Sequence, residues 1–163
     1  DVCSSDLETN NVVCEGFPGT SDSFAGALWS IDWLFSAAYL GASGINFHGS
    51  GFSSYSPIII DPTGVNPNPR VMPQYYAMLL FGNAISSSGA SILNLVTTTS
   101  NPMIKTWGVV RGDGSIAIVV IQKDIAASSN TPVHVTVSDP SLFNTVGQLT
   151  ELCMLHPCLR QRL

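Results

Sequence analysis

The fold is decided by residues 23–40, SFAGALWSIDWLFSAAYL, an apolar stretch without proline. Its large apolar side chains recur three or four positions apart, which is the period of an amphipathic helix: Phe24, Leu28, Ile31, Leu34 and Phe35. Thr20, Ser21 and Asp22 are candidate N-caps, and an acidic Asp22 suits the helix dipole. Gly41 is a stop signal after the last apolar position. The sequence therefore predicts one long helix here.

The segments after this helix predict a parallel α/β unit. Residues 44–49, GINFHG, are short enough for one buried strand that ends at His48. A loop rich in Ser, Pro, Asn and Gly follows over residues 50–70, and a second helix should begin at Pro73 and run to about Ile85. Residues 8–86 thus give the order strand end, helix, strand, loop, helix.

The chain changes character after Ser86. Four segments are short, rich in Val, Ile and Thr, and separated by turns: 91–99, 104–111, 115–123 and 133–138. His134 should face solvent, because its segment alternates. Arg111-Gly112-Asp113-Gly114 is a hairpin connection; its first three residues spell an integrin-binding tripeptide, but the ordinary turn is the favoured interpretation. We predict a partial antiparallel β-sandwich over 87–163.

Composition excludes several classes of protein. Of the 163 residues, 45% are hydrophobic and 10% are charged, with a formal net charge of −5. Disordered chains have the opposite composition. Six Lys and Arg residues are too few for a nucleic-acid surface. No apolar run reaches the ~18 residues of a membrane span, and no signal-peptide pattern opens the chain. The sparse charge indicates that some apolar surface packs against a further part of the protein.

The cysteines do not predict a metal site. There are four, and none forms a CxxC pair. Cys153, His156 and Cys158 could be read as ligands, but a structural zinc site wants four, so we expect no metal. Residues 1–7, DVCSSDL, resemble the translation of a sequencing adaptor. We exclude them, and Cys3 with them, from the interpretation.

Several blocks of this chain resemble glycoside hydrolase family 79, which holds β-glucuronidases and relatives of heparanase. The blocks occur in the order and spacing of that family: Glu8-Thr9-Asn10, residues 16–29, residues 27–34, residues 44–48, Tyr55-Ser56-Pro57 and residues 73–78. The similarity covers residues 8–86 well, whereas over the β region only the order and type of elements agree. Asn11 departs from the family, which commonly has Ser there.

The resemblance implies a fold and a setting. Residues 8–86 would be the last quarter of a (β/α)8 barrel, and the chain would begin at the end of the seventh strand. Residues 87–163 would be a truncated β-sandwich domain. The protein would be secreted, would need no metal or organic cofactor, and would act on a glycan or glucuronide substrate. The missing N-terminal part of its own barrel would be the partner of this unit.

The resemblance also assigns the site residues. Glu8 would be the nucleophile of a retaining hydrolase, and His48, Tyr55 and Asn10 would bind substrate, with Tyr55 donating to the substrate carboxylate. Residues at the carboxyl ends of barrel strands do face the active site. The acid/base carboxyl would come from the fourth strand, which is not among these residues. We therefore expect the 163-residue chain alone to be inactive.

A second interpretation stays open. Residues 87–163 resemble a separable domain, so the protein could be a non-catalytic β-sandwich module that binds carbohydrate or protein. Glu8-Thr9-Asn10, joined to residues 16–34, discriminates between the two, since a binding module has no reason to carry it. An Asn-Glu pair ending an earlier strand in the upstream reading frame would favour the enzyme.

Overall fold

The computed structural model describes residues 8–61, 63, 65, 68–86, 88–93 and 95–124, together with the backbone of 153–155. The chain divides into two compact units, one ending at Ala84 and the other beginning at Ile85. Residues 1–7, the predicted strand 133–138 with His134, and the side chains of Cys153, His156 and Cys158 lie outside the described residues. Within the described part, neither helix is long and apolar enough to cross a membrane.

The first unit is built around a parallel strand pair and two helices. Its elements are β1 (Glu8–Thr9), α1 (Phe24–Tyr39), β2 (Asn46–Phe47), β3 (Ile58–Ile59), β4 (Arg70–Val71) and α2 (Pro73–Ala84). β1 pairs with β2 in parallel, with Glu8 opposite Asn46, and β3 pairs with β4 antiparallel. The predicted helices and the parallel order β1–α1–β2 are confirmed. The described residues do not themselves close a barrel, which stays a prediction.

The beginning of α1 differs from the sequence prediction. Ser23 is the N-cap, and its side chain makes no capping hydrogen bond. The Ser21 hydroxyl instead accepts from the Phe17 N–H at 2.9 Å, and the Asp22 carboxylate accepts from the Gly19 N–H at 2.6 Å. These two side chains therefore stabilise the turn before the helix, and their assignment as helix caps is wrong.

The end of α1 follows the prediction. Gly41 has φ +87°, which a residue without Cβ adopts without strain. The Gly41 N–H donates to the Ala38 carbonyl at 3.1 Å, and the Ala42 N–H donates to the Ala37 carbonyl at 3.0 Å. This pair of bonds is a Schellman motif, so Gly41 ends the helix as predicted.

The core of this unit lies between α1 and α2. Ile31 and Phe35 are fully buried, and the Phe35 ring packs edge-on against Phe81 at 4.9 Å between centroids. Trp29 and Trp33 are not core residues, contrary to the prediction: both are half-buried, and their rings stack at 6.0 Å. Successive helix residues are rotated by about 100°, which places this pair on the flank of α1, where Trp29 meets Phe47 of β2.

Gly26 of α1 lies close to the backbone of the preceding turn. A Cβ there would lie 2.6 Å from the Ser21 carbonyl oxygen, whereas a Cβ on Gly82 of α2 would meet nothing within 4 Å. We therefore expect Gly26→Ala to lower the free energy of unfolding by about 1–3 kcal/mol. Gly82→Ala should raise it by about 0.5–1 kcal/mol. Urea unfolding of both variants checks this. A higher free energy of unfolding in both variants would contradict the close approach at Gly26.

The described residues of the second unit form a four-stranded sheet. Its strands are β5 (Ser91–Leu93), β6 (Ile104–Val110), β7 (Ile116–Gln122) and β8 (Cys153–Leu155), in that spatial order. β5, β6 and β7 pair antiparallel, but β8 pairs with β7 in parallel. The purely antiparallel prediction is therefore wrong at β8. A parallel neighbour needs a crossover connection, and the segment around β8 lacks the alternation that would mark it as a strand.

The hairpin between β6 and β7 is the predicted one. The Arg111 N–H donates to the Ser115 carbonyl at 2.8 Å, and Gly114 takes φ +83°. The Asp113 carboxylate accepts from the Ser115 N–H at 2.9 Å. Hydrogen bonding from the Ser115 side chain, with a smaller contribution from its backbone N–H, lowers the pKa of Asp113. Arg111-Gly112-Asp113 thus forms an ordinary turn. Strand β5, at Ser91–Leu93, is shorter than the predicted segment 91–99.

Candidate functional site

The parallel pair β1–β2 brings together residues that are far apart in the sequence. Glu8 lies in β1 and Asn10 directly after it, while His48 directly follows β2. The His48 N–H donates to the Thr9 carbonyl at 3.0 Å, which extends the ladder by one bond. Since parallel strands end at the same edge, their polar side chains meet there. All four predicted site residues, including Tyr55, fall in this one cluster.

Glu8 and His48 form the exposed part of the cluster. The His48 Nε2 lies 3.6 Å from the Glu8 Oε1. The His48 side chain is 55% exposed and the Glu8 side chain is 68% exposed. An ion pair this open contributes little to stability, about 0–1 kcal/mol even when the imidazole is charged. Their juxtaposition is thus not explained by stability, and both groups are accessible to a ligand.

Tyr55 lies behind His48 and is only 2% exposed. Its Oη is 2.6 Å from the His48 Nδ1 and accepts the Glu15 N–H at 3.1 Å. In the tautomer in which the Tyr55 hydroxyl donates to the His48 Nδ1, the imidazole carries its proton on Nε2, which faces Glu8. The Tyr55 oxygen thus has two partners within the protein, the Glu15 N–H and the His48 ring.

A strained turn holds Tyr55 in place. Cys14, Glu15 and Gly16 all take positive φ, at 55°, 68° and 86°, and the two residues with a Cβ cost about 1–3 kcal/mol each there. The Ser54 N–H donates to the Glu15 carbonyl at 2.9 Å, so Glu15 is bonded through both backbone groups. A Cβ on Gly16 would lie 2.8 Å from the Tyr55 ring. The turn therefore wraps the ring and aims the Glu15 N–H at its hydroxyl.

Asn10 joins the ends of the two strands. Its Nδ2 donates to the His48 carbonyl at 2.7 Å, and its Oδ1 accepts from the Asn11 N–H at 2.8 Å. The buried Gln74 of α2 adds a third bond, from its Nε2 to the same Oδ1 at 3.2 Å. The sequence interpretation missed Gln74. A Gln is seldom fully buried, but no sequence signal pairs it with Asn10.

Metal ligands are not gathered here. Among the described residues, no group of three or more His, Cys, Asp or Glu side chains could hold a metal ion. Cys14 is an exposed free thiol in the strained turn. The cluster offers a carboxylate and an imidazole to a ligand.

No protein-family model and no curated protein matches this chain. An exposed carboxylate beside an imidazole nitrogen is chemically suited to nucleophilic attack or to proton transfer.

Proposed function

We propose that this chain is part of a retaining glycoside hydrolase, similar to family 79, that cleaves terminal β-linked glucuronic acid. The observation that carries the proposal is the Glu8 carboxylate, which is exposed at the strand edge with the His48 Nε2 at 3.6 Å. Glu8 is the nucleophile. His48 directs its N–H at one carboxylate oxygen and leaves the other free to attack. Such contacts are often long without substrate and shorten when it binds.

The reaction proceeds by two displacements at the anomeric carbon. A Glu8 oxygen bonds to the anomeric carbon while the bond between that carbon and the aglycone oxygen breaks. The leaving oxygen keeps the electron pair of the broken bond and takes a proton from the acid/base residue. Water then attacks the same carbon, gives its proton to the acid/base residue, and releases glucuronic acid and the Glu8 carboxylate. By resemblance, the acid/base carboxyl belongs to an earlier barrel strand outside these 163 residues.

The other residues of the cluster take supporting roles in this proposal. The half-exposed His48 ring can contact the substrate as well as Glu8. Tyr55 and Asn10 already bond to the protein through their polar atoms, so we assign them to holding His48. Direct substrate contacts of Tyr55 and Asn10, which the resemblance implies, stay predictions.

The test is hydrolysis of an aryl β-glucuronide by the protein of the complete reading frame, with the aryl β-glucoside for comparison. We expect the glucuronide to be preferred, and NMR should show the β-anomer of glucuronic acid as the first product, because two displacements retain configuration. A first-formed α-anomer would contradict the role of Glu8. The 163-residue chain alone should show no turnover.

The β-sandwich binding module is the alternative that this assay also addresses. Its support is that residues from Ile85 onward form their own compact unit, with a separate four-stranded sheet. Binding of a glucuronide polymer by the complete protein, without hydrolysis of any aryl glycoside, would favour that alternative over the enzyme.

A further inference from the structure

Gln74 contacts the candidate site from the first turn of α2. It is 1% exposed, and its Nε2 lies 3.2 Å from the Asn10 Oδ1. The orientation of Asn10 is set by two partners of opposite kind, since its Oδ1 accepts the Asn11 N–H and its Nδ2 donates to the His48 carbonyl. Gln74 must therefore present its NH2 group and not its oxygen to Asn10.

Packing alone does not account for a glutamine at this position. Within the described part of the chain, the Gln74 Oε1 is buried and has no hydrogen-bond partner. Leaving an amide oxygen without a partner carries a desolvation cost. A methionine would fill the same volume without that cost. The distinctive contribution of Gln74 is thus the N–H that it gives to Asn10.

The strand pair β1–β2 needs stabilisation by another element. β1 and β2 are two residues long each, and so short a pair is marginal by itself. The start of α2 is well anchored, because the Met72 N–H donates to the Pro57 carbonyl at 2.9 Å and the Tyr75 N–H donates to the Met72 carbonyl at 3.0 Å. A side chain on an anchored helix end holds a site more firmly than a loop does.

We propose that Gln74 is a positioning residue. Its carboxamide fixes Asn10, Asn10 fixes the His48 backbone, and the His48 ring is thereby held opposite Glu8. The effect of this positioning on catalysis rests on the proposed function. The mechanical link from Gln74 to His48 does not, so it can be measured without turnover.

The test measures amide hydrogen exchange at the His48 N–H in the complete protein. Gln74→Met should speed this exchange by roughly 5–10-fold, the effect of losing about one hydrogen bond. Gln122→Met is the matched control, because Gln122 is 2% exposed and also has a buried unpartnered amide atom among the described residues, but it belongs to the second unit. It should leave His48 exchange unchanged.

A double-variant comparison separates positioning from packing. Asn10→Ala should also speed His48 exchange, and adding Gln74→Met should then change it by less than about twofold, since the link is already broken. If the double variant speeds exchange by the product of the two single-variant factors, Gln74 acts independently of Asn10, and the proposal is overturned. An unchanged rate in Gln74→Met would overturn it too.

A second variant keeps the proposal testable if Gln74→Met does not fold. Gln74→Leu removes the carboxamide and introduces neither a buried charge nor an O–H that could donate to Asn10, so it should show the same local increase. If both variants lose protection throughout α1 and α2, Gln74 stabilises the whole unit and the positioning role is wrong. In the complete protein, Gln74→Met should lower kcat by a similar factor with KM nearly unchanged. Absence of hydrolysis there would refute the proposed function and leave the exchange result standing.

Discussion

Glu8→Gln should lower kcat on an aryl β-glucuronide by roughly 10⁴–10⁶-fold in the complete protein, the range seen when a covalent nucleophile is removed. The amide keeps the size of the side chain and can still accept the His48 Nε2–H. It cannot attack the anomeric carbon as a carboxylate does. The fold should therefore survive while the first displacement fails, and steady-state kinetics with a circular dichroism spectrum measures both.

Glu15→Gln is the matched control for this prediction. Glu15 is an exposed residue of the same unit, and its bonds to residues 54 and 55 come from its backbone N–H and carbonyl. Its substitution should change kcat by less than about twofold. Azide should restore turnover in Glu8→Ala by attacking the same carbon, and the product should be the α-glucuronyl azide. A Glu8→Gln variant as active as Glu15→Gln would contradict the assignment of the nucleophile.

Tyr55→Phe should lower kcat/KM by about 10-fold or more, and equally on the β-glucuronide and the matching β-glucoside. The substitution leaves the His48 Nδ1 and the Glu15 N–H without their partner. The free energy of unfolding should fall by about 1–3 kcal/mol for the same reason. Tyr76→Phe is the control, because Tyr76 is exposed; it should have little effect on either quantity.

The resemblance makes a different prediction for the same variant. If Tyr55 donates to the substrate carboxylate, the loss should be about 10–150-fold on the glucuronide and absent on the glucoside. The buried hydroxyl, whose oxygen lies 2.6 Å from the His48 Nδ1, favours the equal loss. Ring ¹⁵N spectra of His48 add a direct readout. The Nε2–H tautomer should dominate in the parent chain and should give way to a mixture in Tyr55→Phe.

Long periodic elements were predictable from the sequence, and short pairings were not. α1 and α2 extend over several turns, and Gly41 and Pro73 mark a helix end and a helix start through their own backbone preferences. β3 and β4 have two residues each, too few for any alternation to show. Their pairing depends on how the loop between them closes, which is a tertiary property.

The same distinction applies to the candidate site. Glu8, Asn10 and His48 were assigned to the site by the resemblance, and the parallel pairing of β1 with β2 brings them together. The Glu15 N–H enters the site through a left-handed turn, and Gln74 enters from a helix later in the chain. Neither contact leaves a pattern in the sequence, because a backbone N–H belongs to every residue type and a buried amide resembles any other polar position.

Covalent trapping tests the central claim most directly. A 2-deoxy-2-fluoro-β-glucuronyl fluoride has a leaving group that needs little acid assistance, and its fluorine slows hydrolysis of the glycosyl ester, so the intermediate should accumulate on the nucleophile. Incubation with the complete protein, followed by proteolysis and mass spectrometry, should place the fluoroglucuronyl group on Glu8. A label on another carboxylate, or no label in a protein that hydrolyses the aryl glucuronide, would contradict the role of Glu8 as nucleophile.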